Sequence, residues 1–69
     1  MNIHFVSDEV QNVIVSVTDA YGRQIFEEQK AQYIGEYTQR IELEKYGKGV
    51  YILQIVTDRK VYHERIVVQ

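Results

Sequence analysis

The chain has 69 residues and a mass of 8.2 kDa, which leaves room for one small domain and excludes a second core. It contains no cysteine, so disulfides, thiolate nucleophiles and cysteine-ligated metal sites are all excluded. Eight basic and ten acidic residues give a net charge of −2 with the signs interspersed, which lacks the basic stripe that a nucleic acid requires. We therefore expect no nucleic acid partner. No apolar run approaches the length of roughly 20 residues that a membrane-spanning helix needs, so we also expect no membrane insertion.

The period of the apolar residues predicts β-strands along the whole chain. In Asn12–Asp19 the valines 13, 15 and 17 alternate with Ile14, Ser16 and Thr18, which is typical of a half-buried strand. Val50–Thr57 is apolar at nearly every position and rich in β-branched and aromatic types, which favours a central strand covered on both faces. The predicted strands are Asn2–Val6, Asn12–Asp19, Arg23–Gln29, Glu36–Leu43, Val50–Thr57 and Lys60–Gln69.

Turn signals separate these segments. Asp19 begins a type I turn in which its carboxylate accepts backbone N–H groups, and Gly22 supplies the positive φ that starts the next strand. Gly47-Lys48-Gly49 ends one strand and releases the backbone into the next, while Thr57–Lys60 reads as a short hairpin connection without glycine.

The stretch Gln29–Gly35 is the least regular, and we expect it to be the longest loop, with a further turn at Val10–Asn12. Six short strands at this spacing indicate an all-β antiparallel sandwich or open barrel. We therefore expect residues 1–69 to form a single β-sandwich domain.

No group of residues has the spacing that catalysis or metal binding needs. His4 and His63 are isolated from each other and from suitably placed carboxylates, and read as surface residues of strands. Ser7 and Ser16 lack the strand–turn–helix context of an activated serine. The side chains of the paired acids Asp8-Glu9 and Glu27-Glu28 point away from each other in a strand or turn, so their carboxylates do not converge on one site. The glycines lack the spacing of a phosphate-binding loop. We therefore expect no catalytic residue, no metal and no cofactor.

Six tyrosines and two phenylalanines are a large aromatic share for a chain of this length. Tyr37, Tyr51 and Tyr62 fall within predicted strands, where packing is the expected role. Tyr33 and Tyr46 fall in predicted loops and are the better candidates for contact with a ligand or partner.

The segments are VIVSVTDAYGRQIFEE, GEYTQRIELEKYGKGVYILQIVTD and KVYHERIVVQ. They give the order strand, D-x-x-G-R hairpin, strand, G-E-Y-x-x-x-I-x-L strand, G-V-Y strand and closing apolar strand. This ordered set resembles the C-terminal sorting domain of proteins exported by the type IX (Por) secretion system. The matching residues are Asp19, Gly22 and Arg23; Gly35, Tyr37, Ile41 and Leu43; Gly49, Val50, Tyr51, Leu53 and Ile55; and Arg65, Ile66, Val67, Val68 and Gln69.

The resemblance implies an immunoglobulin-like sandwich that serves as an address for a larger cargo protein and has no enzymatic activity. It implies that the type IX outer-membrane translocon reads Arg65–Gln69 and that a sortase-like peptidase then removes the domain. It also implies structural roles for Asp19, Gly22 and Arg23, for Gly35, and for Gly49–Tyr51. The cargo is expected to be secreted or held at the cell surface. A terminal strand with an open edge suits this role, because another protein can add a strand to it.

The family pattern usually opens with an Asn-Pro strand, which has no counterpart before Asn2–Val6. We therefore expect an open sheet edge or groove and, as a consequence, a homodimer formed by edge pairing or strand swapping. The alternative function is an immunoglobulin-like carbohydrate- or protein-binding module of a surface enzyme, with Tyr33 and Tyr46 as its contact residues.

Overall fold

The fold is all-β and antiparallel, as the sequence predicts. A computed structural model describes all of residues 1–69. Its elements are β1 (Asn2–Asp19), β2 (Gln24–Arg40), a 3-10 helix (Leu43–Tyr46), β3 (Gly49–Thr57) and β4 (Val61–Val68). The strands form one sheet in the order β2-β1-β3-β4, and every neighbouring pair is antiparallel. The structure contains no helix that is long and apolar enough to cross a membrane.

The six predicted segments lie in four strands, because two predicted breaks are wrong. Val10–Asn12 lies inside β1 and Gln29–Gly35 lies inside β2, so neither is a turn or loop. Their polar, irregular composition marks a bulge instead: the β1–β2 register shifts between Ser7 and Val13. On the facing strand Gln32 takes a φ of 52° and Gly35 a φ of 100°, which bend β2 without ending its pairing.

The bulge folds β1 and β2 over the rest of the sheet. A straight strand of the length of β1 would extend roughly 55 Å at about 3.3 Å per residue, whereas the longest dimension of the molecule is 36 Å. The first half of β1 pairs with the second half of β2 alone, whereas the second half of β1 lies between β2 and β3. The result is a two-stranded layer stacked on a four-stranded layer.

The core fills the space between these two layers. The valines of β1 that alternate in the sequence are fully buried, which confirms the predicted period. The buried apolar residues are Ile3, Val13, Val15, Val17, Tyr37, Ile41, Leu43, Tyr51, Leu53 and Ile55, and they form a single cluster. This cluster draws on every strand except β4.

Three local predictions require correction. β2 ends at Arg40, and Leu43, predicted at the end of a strand, begins the 3-10 helix and is 1% exposed. β3 is central in the sheet, but only the side that carries Tyr51, Leu53 and Ile55 is buried. The opposite side of β3 is half-buried, because the two-stranded layer lies only on the side of Tyr51, Leu53 and Ile55. Arg23, predicted to open the second strand of the hairpin, belongs to the turn.

Candidate recognition surface

The predicted recognition residues Arg65–Gln69 lie at the end of β4. Ile66 pairs with Tyr51 and is half-buried against the core, whereas Val67 pairs with Val50 and is 53% exposed on the opposite face. Val68 pairs with Gly49 and packs against the core like Ile66. The tail is therefore held by apolar side chains on one face and displays alternate residues on the other.

One edge of β4 is open along its whole length. β4 pairs with β3 and with no other strand, which leaves a row of backbone N–H and C=O groups without a partner in the sheet. Beside the end of this edge lies an open groove of about 380 Å³, lined by Met1, Leu43, Glu44 and residues 66–69. The backbone nitrogen of Met1 donates a 2.7 Å hydrogen bond to the carbonyl of Ile41.

The turn Asp19–Arg23 is organised by a single carboxylate. Oδ1 of Asp19 accepts hydrogen bonds of 2.9 Å from the backbone N–H groups of Tyr21 and Arg23, and Oδ2 lies 2.9 Å from Nε of Arg23. Desolvation raises the pKa of Asp19, but the backbone hydrogen bonds from Arg23 and Tyr21 and the Arg23 guanidinium outweigh it, so the pKa lies below its usual range. Gly22 takes the positive φ of 83° that the sequence predicts there.

The segment Gly47–Tyr51 connects the 3-10 helix to β3 and faces the tail. Gly47 and Gly49 have φ values of 105° and 146°, a region that residues with a side chain rarely adopt. The Tyr51 side chain is 3% exposed, and its hydroxyl donates to the carbonyl of Gly47, which fixes the start of the strand beside which Ile66–Val68 pair. This segment therefore lies beside the strand that carries the tail.

The hairpin connection Thr57–Lys60 is held to the bulge of β1. The Thr57 hydroxyl accepts hydrogen bonds from the backbone N–H groups of Arg59 and Lys60, which closes this turn without a glycine. Asp58 accepts from the backbone N–H of Asn12, and Nε of Arg59 lies 2.6 Å from Oε1 of Glu9. The β3–β4 connection thus supports the place where the two layers separate.

A second groove lies where two open edges approach each other. It has a volume of about 470 Å³ and is lined by residues 2–6 of β1, Leu53, Ile55 and residues 62–64 of β4. His4 and His63 both line it, a proximity that their separation in sequence gave no means to predict. Nε2 of His4 lies 3.2 Å from Oε2 of Glu36, and His63 contacts the amide of Gln54 at 2.9 Å. No group of three potential metal ligands is present anywhere in the chain.

The tyrosines divide differently from the prediction. The sequence predicts a loop at Tyr33, but Tyr33 lies in β2. Its ring packs edge to face on Tyr37 with a centroid separation of 6.1 Å, and its hydroxyl donates to the carbonyl of Glu36. Tyr46, by contrast, is 53% exposed. Tyr37 and Tyr51 are buried as expected, whereas Tyr62 is 50% exposed. Tyr33 is therefore part of the packing between the layers and is poorly placed for stacking on a ligand.

Comparison with known proteins gives one family match. The model of a family described as secretion system C-terminal sorting domain matches residues 1–69, the whole chain. No curated protein and no solved structure matches significantly.

Proposed function

Because the chain belongs to the type IX secretion system C-terminal sorting domain family, we propose that its residues Arg65–Gln69 are the element that the secretion machinery reads. The domain is a sorting signal for type IX secretion, which delivers proteins to the cell surface or the extracellular space. Sorting signal domains are not a catalytic family, and the partner of this domain is the secretion machinery. The observation that carries the proposal is the open edge along β4, where these residues lie.

The translocon reads this edge by adding a strand to it. Backbone groups on the open side of β4 supply hydrogen bonds, and side chains that alternate along the edge supply specificity. Ile66 and Val68 hold the tail on the core, which leaves the exposed Val67 and the outer backbone to the partner. In this proposal Asp19, Gly22 and Arg23, with Gly35 and Gly49–Tyr51, act only by holding the sheet in shape.

Two finer steps complete the proposal. The cargo protein carries this chain at its C-terminal end, and a sortase-like peptidase cleaves between them after export. The chain supplies the folded address and the peptidase supplies the chemistry. Residues 1–69 act as one domain in this process, which the single core cluster supports.

The alternative, a carbohydrate- or protein-binding module, gains no specific support. Of its two contact tyrosines, Tyr33 is engaged by Tyr37 and Glu36, which leaves Tyr46 without an aromatic partner on the same surface. A stacking platform built on one half-exposed ring is weaker than the recognition edge of β4.

The decisive experiment is export of a reporter fused to the N-terminal side of this chain, in a cell with a working type IX apparatus. Deletion of Arg65–Gln69 should abolish export. Circular dichroism of the purified chain with and without Arg65–Gln69 distinguishes loss of the signal from loss of folding. Export that is unaffected by the deletion, or that fails with the complete chain, would overturn the proposal.

A matched pair of substitutions tests the tail without removing its core contacts. Val67 and Val61 lie on the same face of β4 and are 53% and 54% exposed, but only Val67 belongs to the tail. Val67→Lys should reduce export and Val61→Lys should leave it near the level of the original chain. Equal effects of the two changes would contradict a specific role for the tail.

The second open edge, at Asn2–Val6, is the proposed site of a homodimer. These residues pair only with β2, because the pairing of β1 with β3 starts at Val13. An antiparallel pair of copies centred on His4 places Ile3 opposite the partner's Phe5 and brings no permanently charged residues into opposition. Sedimentation at high concentration should therefore show a dimer, which His4→Lys should weaken by opposing two positive charges. A monomer at all concentrations would contradict it.

A further inference from the structure

Glu64 and Arg65 are consecutive residues in the middle of the open edge of β4, and their side chains point to opposite faces of the sheet. Neither has an ionic partner. Both are exposed, and no ion pair or side-chain hydrogen bond in the structure involves either residue. Their neighbours on β3 are apolar, since Leu53 lies opposite Glu64 and Ile52 lies opposite Arg65. Neither charge is therefore neutralised within the chain.

The pair disfavours the longest pairings of a second copy with β4. Two copies that continue the sheet through β4 are related by a two-fold axis perpendicular to the sheet, so opposed residues must lie on the same face. The two registers with the longest overlap are then centred on Glu64 or on Arg65. The first opposes two glutamates and the second opposes two arginines, and like charges opposite each other are destabilising. This edge is thus unsuited to self-association.

We infer that the occupant of this edge is an antiparallel strand of the secretion machinery, in which an acidic residue followed by a basic residue lies opposite Arg65 and Glu64. The inference rests on the proposed function, and it adds the register and the chemistry of the partner strand. Antiparallel addition continues the pattern of every pair in this sheet. Each opposite-charge pair across the new edge favours this register.

The residues that follow the pair define the rest of the partner strand. Ile66 and Val68 present one face and Val67 the other, so the positions opposite them take apolar side chains. The side chain opposite Val68 lies beside the groove of about 380 Å³ that Met1 and Leu43 help to line, which provides space for a branched residue. Read from its N-terminus, the partner strand therefore has three apolar residues, then an acid, then a base.

Synthetic peptides test this in solution. The probe is Thr-Val-Val-Ile-Glu-Lys-Thr, and its twin exchanges the positions of glutamate and lysine. The probe should bind the full chain about tenfold more tightly than the twin and should shift amide resonances of β4 in an NMR titration. The chain with Glu64→Lys and Arg65→Glu should reverse this preference. Equal binding of the two peptides, no binding, or shifts confined to other strands would overturn the inference.

The exchanged chain also separates this inference from the proposed function in cells. Glu64→Lys with Arg65→Glu keeps the composition of charge and breaks no ion pair, and it should reduce export about tenfold. The control exchange, Glu42→Lys with Lys45→Glu, re-forms an ion pair of 3.3 Å outside β4 and should leave export unchanged. If deletion of the tail abolishes export while the exchange at residues 64 and 65 does not, the proposed function stands and this inference fails.

Discussion

The hydroxyl of Tyr37 donates a 2.7 Å hydrogen bond to Oε1 of Glu28, although both residues belong to β2. In a straight strand these positions would lie roughly 30 Å apart at about 3.3 Å per residue. The contact exists because the bulge folds the second half of β2 over the first. Tyr37 is buried and Glu28 is half-buried, so this bond joins the two layers across the core.

Removal of this hydroxyl should destabilise the fold. Tyr37→Phe leaves the half-buried Glu28 carboxylate without its donor, and we expect the free energy of unfolding to fall by about 1–3 kcal/mol. Urea denaturation followed by circular dichroism measures the change. Tyr62→Phe is the matched control, since Tyr62 is 50% exposed and its hydroxyl has no hydrogen bond within the chain. A similar loss in both variants would contradict the role assigned to the Tyr37 hydroxyl.

Alkaline pH should weaken the fold through the same residue. Burial, together with the hydrogen bond and charge of Glu28, raises the pKa of Tyr37 above its ordinary value of 10.0. Above pH 10 the unfolded chain therefore releases this proton more readily than the folded chain, so stability is complete below pH 10 and falls as the pH rises further. Urea midpoints at a series of pH values should show a smaller alkaline decline in Tyr37→Phe. An unchanged decline would assign the effect to other groups.

Acid should weaken the fold through the turn. The pKa of Asp19 in the folded chain lies below its ordinary value of 3.8, so its contribution is complete above that pH and is lost as the pH falls through the lower folded value. Asp19→Asn removes the charge that attracts Arg23 and should lower stability at neutral pH. It should also reduce the difference in urea midpoint between pH 7 and pH 3. Equal acid sensitivity of both chains would show that other carboxyl groups dominate.

Gly35 is required for its backbone conformation and not for space. Its φ is 100°, and a β-carbon added there would meet no atom within 4 Å. Gly35→Ala should cost about 1–3 kcal/mol of unfolding free energy, since an L-residue is strained at this φ. Replacement of Gly35 by D-alanine in a synthetic chain should restore stability, because a D-residue favours positive φ. A D-alanine chain as unstable as the L-alanine chain would contradict this explanation.

The sequence predicts the strands better than it predicts their connections. The alternation of Val13, Val15 and Val17 fixes which face of β1 is buried, and Asp19 with Gly22 identifies the hairpin. The bulges at Val10–Asn12 and Gln29–Gly35 carry the same polar residues and glycine that mark loops, so local composition cannot distinguish a bend within a strand from a break between two.

Burial and recognition depend on contacts that are distant in sequence. An apolar strand such as Val50–Thr57 predicts burial on both faces, but whether a second layer exists depends on where β1 and β2 bend. For the proposed recognition surface, the tail residues are an expectation that the resemblance implies. Only the strand order shows that their edge is open, and only the register shows that Glu64 and Arg65 face apolar residues of β3.

The peripheral position of β4 also determines how the molecule moves. β4 contributes no fully buried side chain and contacts one strand, so it can detach without disturbing the pairing of β1 with β2. Its amides should exchange with deuterium through local opening, while those of β1 exchange only when the whole domain unfolds. β4 can thus separate from the sheet while the rest of the domain remains folded.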